Sequence, residues 1–176
     1  MSFDSRKAET VAALALPSEE YEDKSPKGSV DVPVIPLLRL INSHADLFST
    51  SSCSGRITLL ARDSTVHKGG EWLLSTHDEA NVDEAVRVLD EYVKSNPSEK
   101  MEVSLRFEPF LLSVETRTIE AAAAFLRVAV EAGCRDSGIM NVTRRFMVSV
   151  RCSLRMEVPL FFDGRLQVPL DSVRAL

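Results

Sequence analysis

The sequence predicts an α+β fold, a single domain in which helices pack on a mixed β-sheet. Segments with alternating apolar residues, as in strands, are interspersed with segments whose apolar residues recur at helical spacing. A strand, helix, strand order occurs around residues 72–114 and again around residues 110–150. The chain has 176 residues, 44% of them hydrophobic. One domain with a sizeable core is expected, because about 150 residues already bury about 68 to 70% of their unfolded surface.

The N-terminal region predicts a helix, a polar loop and the start of the core. A helix over residues 1–16 is predicted from apolar side chains at helical spacing: Phe3, Ala8, Val11, Ala12 and Ala15. Pro17 ends this helix, and the polar residues 17–29 predict an exposed loop before a core that spans residues 30–170. Asp31 is the predicted N-cap of a second helix. Its first turn accommodates Pro33 and Pro36, and its apolar stripe consists of Ile35, Leu38 and Ile41.

The remainder of the core alternates strands and helices. Strand-like segments occur at residues 57–61, 72–77, 103–107, 110–114, 146–152 and 157–162. The strongest helix signal has apolar residues at positions i, i+3, i+4, i+7 and i+11: Val82, Ala85, Val86, Leu89 and Val93. An alanine-rich helix is predicted over residues 118–132, with Gly133 as its C-terminal stop. Pro109 predicts a bulge or an edge between two of the strands.

The formal net charge of −5 argues by itself against nucleic acid as a partner. The charge is unevenly distributed, however. Residues 1–23 and 71–120 carry net charges of −4 and −7, whereas residues 24–70 and 121–176 each carry +3. If the two basic regions meet in the fold, an acidic protein would have one basic face. Ordinary solvated surface explains the same alternation, and charge alone favours that interpretation.

Composition also bears on location and on cysteine chemistry. Cys53, Cys134 and Cys152 form no CxxC pair, which argues against a disulfide framework or a zinc site. The three histidines lack metal-ligand spacing, so no metal is predicted. No apolar run approaches the roughly 20 residues that span a bilayer, and the N-terminus has no leader signature. A soluble, cytoplasmic protein without a membrane partner is expected.

The most informative segment is residues 49–56, where six small hydroxyl or thiol side chains precede a glycine and an arginine. Such a segment buries little apolar area, so turn geometry, backbone access or a polar ligand explains it. Gly55 permits a turn, and Arg56 supplies a planar fork of donors. A Ser/Thr-rich turn with no further role is the competing interpretation. A nucleophilic Cys53 with His77 as its base is a further alternative, although no sequence feature shows that pairing.

Three other constellations place polar or aromatic side chains together. Residues 68–72 combine two glycines with Lys68 and Trp72. Either the glycines let backbone amides approach a ligand while the Trp72 ring stacks on a base, or the segment is a hairpin turn with the tryptophan in the core. Glu108 lies between aromatic residues, where it acts as an acid or base or points to solvent on an edge strand. Residues 133–139 predict a polar binding loop or a helix cap followed by a turn.

Taken in chain order, these segments resemble the wybutosine-synthesising protein 3 family over about residues 3–168. The blocks that carry the resemblance are Lys24-Ser25-Pro26-Lys27-Gly28-Ser29-Val30-Asp31, Ser51-Ser52-Cys53-Ser54-Gly55-Arg56-Ile57, Trp72 with His77, Arg106-Phe107-Glu108-Pro109-Phe110, Gly133-Cys134-Arg135-Asp136-Ser137-Gly138-Ile139 and Met156-Glu157-Val158-Pro159-Leu160. The Ser-Ser-Cys-Ser-Gly-Arg block and its order relative to the others make the match specific. Residues 23–27 and 41–44 look most like plant-type members, in which this module begins a longer fusion protein.

The resemblance implies a methyltransferase that uses S-adenosylmethionine to methylate N4 of 7-aminocarboxypropyl-demethylwyosine. This tricyclic base lies 3′ of the anticodon in phenylalanine tRNA, so the anticodon loop and the fused wybutosine-pathway domains are the implied partners. The sequence has no strand followed by GxGxxG, no P-loop, no HExxH and no GxSxG. The missing glycine-rich loop agrees with a family that does not use the Rossmann methyltransferase fold.

The resemblance also implies roles for individual residues. Asp31, His77 and Glu108 are the candidates for the base that removes the N4 proton. The cofactor-binding candidates are Ser51, Ser52, Cys53, Ser54, Gly55, Arg56, Ser137 and Gly138. The substrate-binding candidates, through phosphates or by stacking on the base, are Lys24, Lys27, Lys68, Gly69, Gly70, Trp72 and Arg135.

Two positions depart from the family pattern. Many members carry a histidine where this chain has Ser113, and many carry an aromatic residue in place of Cys134. Plant-type members share the loss of that histidine, which disfavours an essential role for it. The alternative function is a non-catalytic tRNA-binding or scaffolding module of a fusion protein, and the two functions differ in whether S-adenosylmethionine binds.

Overall fold

The computed structural model describes residues 1–14, 30–66, 69–77, 81–96 and 98–173. The predicted polar loop, Lys24, Lys27 and Lys68 lie outside the described residues. The α+β class is confirmed. In chain order the elements are α1 (Phe3–Leu14), a 3-10 turn (Val32–Val34), α2 (Ile35–Ser43), β1 (Leu47–Cys53), β2 (Arg56–Asp63), β3 (Glu71–Thr76), α3 (Val82–Ser95), β4 (Met101–Glu108), β5 (Leu111–Thr116), α4 (Ile119–Glu131), β6 (Gly138–Asn141), β7 (Phe146–Arg151), β8 (Met156–Phe162), β9 (Arg165–Leu166) and α5 (Leu170–Val173).

The chain divides into two compact units, each assembled from separate stretches of sequence. The first unit comprises Met1–Ser54 and Pro109–Ser153, and the second comprises Gly55–Glu108 and Leu154–Leu176. Because neither unit is continuous in sequence, the division provides no sequential domain boundary. A single domain over residues 1–176 stays a prediction.

The first unit contains a four-stranded antiparallel sheet in the order β1, β5, β7, β6. Helices α2 and α4 pack on the sheet residues Leu112, Val114, Val148 and Val150 through Leu38, Ile41, Ala122 and Ala129. Helix α4 begins where the sequence predicts, because the Thr118 hydroxyl accepts the backbone N–H of Ala121 at 3.1 Å. Gly133, with a φ of 99°, follows its last turn.

The second unit contains a five-stranded antiparallel sheet in the order β3, β2, β4, β8, β9. Helices α3 and α5 contribute to its core, in which the buried residues are Leu59, Ala61, Ala85, Leu89, Val103, Leu105, Leu160, Phe161 and Val173. Helix α3 is capped by Asn81, whose side chain accepts the N–H of Glu84 at 3.2 Å. The predicted apolar stripe of this helix therefore faces the core.

Both predicted strand, helix, strand segments are present, and in each an antiparallel strand separates the two strands that the helix connects. Helix α3 connects β3 to β4 with β2 between them, and α4 connects β5 to β6 with β7 between them. The connected strands run parallel without bonding to each other. For this reason the element order suggested a mixed sheet, whereas the pairings of the described strands are antiparallel.

Two local predictions near the start of the core are confirmed only in part. Asp31 occupies the N-cap position of the 3-10 turn that precedes α2, but its side chain makes no capping hydrogen bond to that turn. Of residues 49–56, only Ser54 and Gly55 connect two strands, because β1 continues to Cys53 and β2 begins at Arg56. Pro109 lies between β4 and β5, where the chain passes from the second unit to the first. None of the described helices is both long and apolar enough to cross a membrane.

Candidate functional site

The Ser/Cys motif of the first unit lies on an edge strand that contains a bulge. The side chain of Asn42 accepts the backbone N–H of Ser49 at 2.7 Å and fixes the strand before the motif. The register with β5 then shifts between Ser49 and Ser51, and the hydroxyl of Thr50 donates to the carbonyl oxygen of Ser113 at 3.2 Å. A bulge re-aims the side chains that follow it. It therefore decides which face Ser51, Ser52 and Cys53 present.

After the bulge, Ser51 begins a polar row that crosses the whole sheet. Ser51 lies opposite Ser113, Ser113 opposite Ser149, and Ser149 opposite Gly138. Residues directly opposite each other on antiparallel strands share a face, and three strand spacings amount to about 14 Å. The row joins two segments that the sequence analysis selected separately, the Ser/Cys motif and the loop before Gly138. Ser113 lies inside it.

Asp31 fixes the end of the Ser/Cys motif within the first unit. Its carboxylate accepts the backbone N–H of Ser54 at 2.8 Å and the Ser54 hydroxyl at 3.1 Å. Asp31 is only 5% exposed. Hydrogen bonds to a carboxylate are stronger than neutral ones, so this pair holds the chain rigidly where β1 ends. The same residue presents the negative charge that a catalytic base requires.

The second unit begins at Gly55, where the conformation demands glycine. Gly55 is buried and has a φ of 104°, a region that residues with a Cβ rarely adopt. The Nδ1 atom of His77 lies 2.9 Å from the Gly55 carbonyl oxygen. A carbonyl oxygen accepts only, so Nδ1 carries the hydrogen, and a neutral ring then has its basic lone pair on Nε2. This tautomer suits a general base.

Arg56, Glu108 and Trp72 form a cluster on three adjacent strands of the second unit. Arg56 lies opposite Glu108 in the ladder between β2 and β4, and its Nε donates to the Glu108 carboxylate. The Arg56 guanidinium carbon lies 5.0 Å from the centre of the Trp72 ring. Trp72 is 48% exposed, which excludes a core role. Strand β4 lies between β2 and β8, so Glu108 is not on an edge strand either.

Of the two glycines before Trp72, one cannot be replaced by a residue with a Cβ atom. Gly70 has a φ of 145°, and a Cβ added there would lie 2.8 Å from the carbonyl oxygen of Ala61. The backbone of the neighbouring strand therefore excludes other residues at this position. Gly69 has a φ of 99° with open space around it. Backbone conformation accounts for both glycines without a ligand, so a substrate role for them stays a prediction.

Residues 133–137 connect α4 to β6 in the first unit, and Gly138 and Ile139 begin β6. The hydroxyl of Ser137 donates to the carbonyl oxygen of Cys134 at 2.6 Å and accepts the backbone N–H of Arg151 at 3.0 Å. Arg135 is exposed. A Cβ at Gly138 would meet no atom within 4 Å, so packing does not require glycine there. The position instead leaves the backbone at the start of β6 open to a ligand.

None of the three cysteines, all of which are described, forms a disulfide, but two of them are neighbours. The Sγ atoms of Cys134 and Cys152 lie 3.4 Å apart. Burial, followed by the contact with Cys152, raises the pKa of the Cys134 thiol. Cys53, at the end of β1, is half-buried. Sequence spacing gave no sign of the Cys134 and Cys152 contact, because α4 and β7 bring the two residues together through tertiary packing.

The second unit also contains a cavity of about 370 Å³ that no predicted motif indicated. It is lined mainly by apolar side chains from the sheet, α3 and α5, including Ile57, Phe107 and Met156, with Arg106 and Arg155 among its other residues. The predicted site residues do not line it. Arg106 and Arg155 both contact Glu157 at 2.6 and 3.6 Å. The one sequence signal near this cavity is the alternation of charged and apolar residues over 155–158, which contributes Arg155 and Met156 to the lining.

Relatives of known name match nearly the whole chain. Residues 5–176 match the family described as Methyltransferase TYW3. The rice (Oryza sativa subsp. japonica) tRNA wybutosine-synthesizing protein 2/3/4 is 44% identical over 189 residues, which cover 100% of this chain and 18% of that protein. The Schizosaccharomyces pombe tRNA wybutosine-synthesizing protein 3 is 39% identical over 166 residues, which cover 91% of this chain and 69% of that protein. This chain thus spans about a fifth of the length of its plant relatives.

Two solved structures share the fold. The PH1069 protein of Pyrococcus horikoshii has a TM-score of 0.80 at 28% identity, over 99% of this chain and 84% of that chain. A hypothetical protein of Aeropyrum pernix has a TM-score of 0.69 at 26% identity, over 82% of each chain. Fold, motif order and sequence identity agree, and the chain belongs to the TYW3 methyltransferase family of wybutosine synthesis.

Proposed function

We propose that this chain transfers the methyl group of S-adenosylmethionine to N4 of 7-aminocarboxypropyl-demethylwyosine, 3′ of the anticodon in phenylalanine tRNA. The observation that carries the proposal is the match of residues 5–176 to a methyltransferase family whose relatives are named for wybutosine synthesis. We propose that it acts in the cytoplasm, as one module beside other domains of the same pathway. The plant relatives named 2/3/4, of which this chain covers less than a fifth, support the modular arrangement.

Several side chains have the chemistry that the cofactor requires. S-adenosylmethionine supplies an electrophilic methyl group on a cationic sulfonium. In the first unit, the polar row from Ser51 to Gly138 offers hydroxyl and backbone groups for polar parts of a ligand. In the second unit, Arg56 presents donors suited to a carboxylate, and the exposed ring of Trp72 can stack on a base or attract a cation.

Methylation at N4 displaces a proton, and the chain offers three groups to accept it. Glu108 is the ion-pair partner of Arg56, so we assign it the positioning of that guanidinium. Asp31 supplies a buried carboxylate, and His77 supplies Nε2 in the tautomer that Gly55 selects. These two residues are the proposed proton acceptors. The remaining substrate candidates, including Trp72 and Arg135, would bind the modified base and its flanking phosphates.

Radiolabelled methyl transfer to tRNA from cells that lack this step tests the proposal in the full-length protein. We expect labelled tRNA with the wild-type protein and a loss of about 100-fold or more in kcat when the acceptor is replaced, in Asp31→Asn or His77→Gln. Asp90→Asn is the matched control, because Asp90 pairs with Lys94 on the surface of α3. Absence of transfer by a folded protein that binds both ligands would contradict the proposal.

The second candidate function is a non-catalytic tRNA-binding or scaffolding module. The observation that favours it is the small share of the plant relatives that this chain spans, since a neighbouring domain could carry the chemistry. Titration calorimetry with S-adenosylmethionine separates the two functions. Saturable heat from this chain supports the enzyme, whereas tRNA binding without cofactor binding supports the scaffold.

A further inference from the structure

We infer that one sheet edge of the first unit binds the sugar–phosphate backbone of RNA. This surface, the β6–β7 edge, consists of β6, β7, the turn 142–145 that joins them and Arg135. The inference rests on the proposed function, because it assigns a docking surface for the tRNA substrate. The arginines of this surface and the turn 142–145 belong to the first unit, and none of them is a member of the serine row.

The β6–β7 edge presents an exposed and preformed turn. Strand β6 is the last strand of its sheet and pairs with β7. Residues 140–145 are all exposed. The side-chain oxygen of Asn141 accepts the N–H and the hydroxyl of Thr143 at 3.0 and 3.2 Å. Such a turn holds its shape without a ligand, so little ordering entropy opposes binding at this place.

The charge of this edge is positive and poorly compensated. Residues 133–153 contain four arginines and a single acidic residue, Asp136. Among the residues that the structure describes, neither Arg135 nor Arg144 has an ion-pair partner. Arg145 approaches Glu115 only at 4.0 Å, and that carboxylate already receives Arg6. Arginines that have no acidic partner within the protein are suited to a polyanion, and phosphate contacts supply most of RNA-binding affinity.

The arginines occur at both ends of β7. Arg144 and Arg145 precede the strand, whereas Arg151 ends it and holds its Nε against the Ser149 hydroxyl at 3.1 Å. Six residues of extended chain separate Arg145 from Arg151 by about 20 Å. Met140 of β6 and Val142 of the turn, 68% and 55% exposed, offer apolar contact to unstacked bases. The edge therefore fits an extended polyanion with bases better than a single phosphate.

Binding of the full chain to an unmodified phenylalanine tRNA transcript, without cofactor and at several salt concentrations, tests the inference. We expect Arg144→Ala with Arg145→Ala to weaken binding at least tenfold at low salt. The slope of log affinity against log salt should fall by about 1.4 to 1.8, since each lost phosphate contact accounts for about 0.7 to 0.9. Arg39→Ala with Arg127→Ala is the matched control, because both residues are exposed on α2 and α4.

Arg144→Glu alone avoids the neighbourhood of Glu115 and should also weaken binding, even if loss of Arg145 destabilises the fold. Equal affinity and slope for wild type and both edge variants would overturn the inference. If polyglutamate displaces the bound tRNA as effectively as polyuridylate does at equal charge, the inference is also overturned, and an acidic protein partner is indicated. Methyl transfer is measured separately, so RNA binding at the edge can hold or fail independently of the proposed reaction.

Discussion

Arg56 links three strands of the second unit through two different interactions. It lies on β2 between Glu108 of β4, which accepts its Nε hydrogen, and Trp72 of β3, over whose ring its guanidinium lies. The planar guanidinium makes both contacts at once. An ammonium group is a compact point charge and cannot reproduce this arrangement. The requirement at position 56 is therefore for arginine, and not for positive charge alone.

We predict that Arg56→Lys lowers the efficiency of methyl transfer at least tenfold while the protein remains folded. A half-exposed ion pair contributes little to stability, whereas the orientation of the guanidinium is lost. The measurement is kcat/KM for tRNA, with circular dichroism as the folding check. Arg62→Lys is the matched control, because Arg62 is on the same strand and donates to Glu102 at 2.9 Å. Equal activity of the two variants would refute the role of Arg56.

The contact between Cys134 and Cys152 predicts a pH dependence. Because burial and the neighbouring thiol raise the pKa of Cys134, iodoacetamide should alkylate it slowly at pH 8. Cys152→Ala should accelerate alkylation of Cys134 and leave that of Cys53 unchanged, as followed by mass spectrometry. The raised pKa also means that the folded protein keeps the Cys134 thiol protonated at pH values where the unfolded chain releases this proton. The free energy of unfolding should therefore decrease as pH rises above the ordinary thiol pKa of about 8.5, and the urea midpoint should fall there. A Cys134 rate insensitive to Cys152→Ala would count against the contact.

At the scale of elements, α1 is held by polar contacts more than by burial. None of its residues is buried. Arg117 donates to Asp4 of the helix at 2.6 and 3.0 Å and to Asp46 before β1 at 2.8 Å. Arg6 pairs with the buried Glu115, and the Phe3 ring lies 5.2 Å from that of Phe48. Attachment of α1 thus depends on charge, which salt and acid can weaken.

We predict that Arg117→Ala, or 1 M salt, increases hydrogen exchange in α1 without affecting α4. Arg117 lowers the pKa of Asp4 through its hydrogen bond. The stabilising charge of Asp4 is therefore fully present above its ordinary pKa of about 3.9 and is lost as pH falls through the lower folded value. Exchange in α1 should accordingly increase below pH 4. Arg127→Ala on α4 serves as the control, and equal α1 protection in both variants would contradict this attachment.

The elements also differ in how far the sequence could predict them. Helix α4 was predictable because its cap, its alanine content and its terminal glycine are all local signals. The strand β1 was not, because serines and threonines in a row are typical of turns. Its conformation depends on the ladder with β5, more than 60 residues later in the chain, and on Asn42. Neither partner can be found by local pattern.

At the scale of the whole molecule, the division into two units raises the question of whether they unfold together. Each is built from discontinuous stretches, so the chain passes between them three times. We predict one unfolding transition, with equal calorimetric and van't Hoff enthalpies. Leu89→Ala in the second unit and Leu112→Ala in the first should each cost about 2 to 5 kcal/mol, since both side chains are buried.

Both variants should shift that same transition, as measured by scanning calorimetry. Ser64→Ala, at an exposed position, is the control and should leave it unchanged. Two resolved transitions, one sensitive to Leu89→Ala and the other to Leu112→Ala, would show that the units unfold separately. The prediction of a single domain would then be wrong.

The sequence by itself determined the α+β class, most helices and strands, and the family, because periodicity, caps and motif order are properties of neighbouring residues. The tertiary structure decided which strands pair and in which register. It alone placed Ser51, Ser113, Ser149 and Gly138 in one row, gave Arg56 its two partners and brought Cys134 to Cys152. Strand pairing joins residues far apart in the chain and is selected by burial and backbone satisfaction over the whole fold.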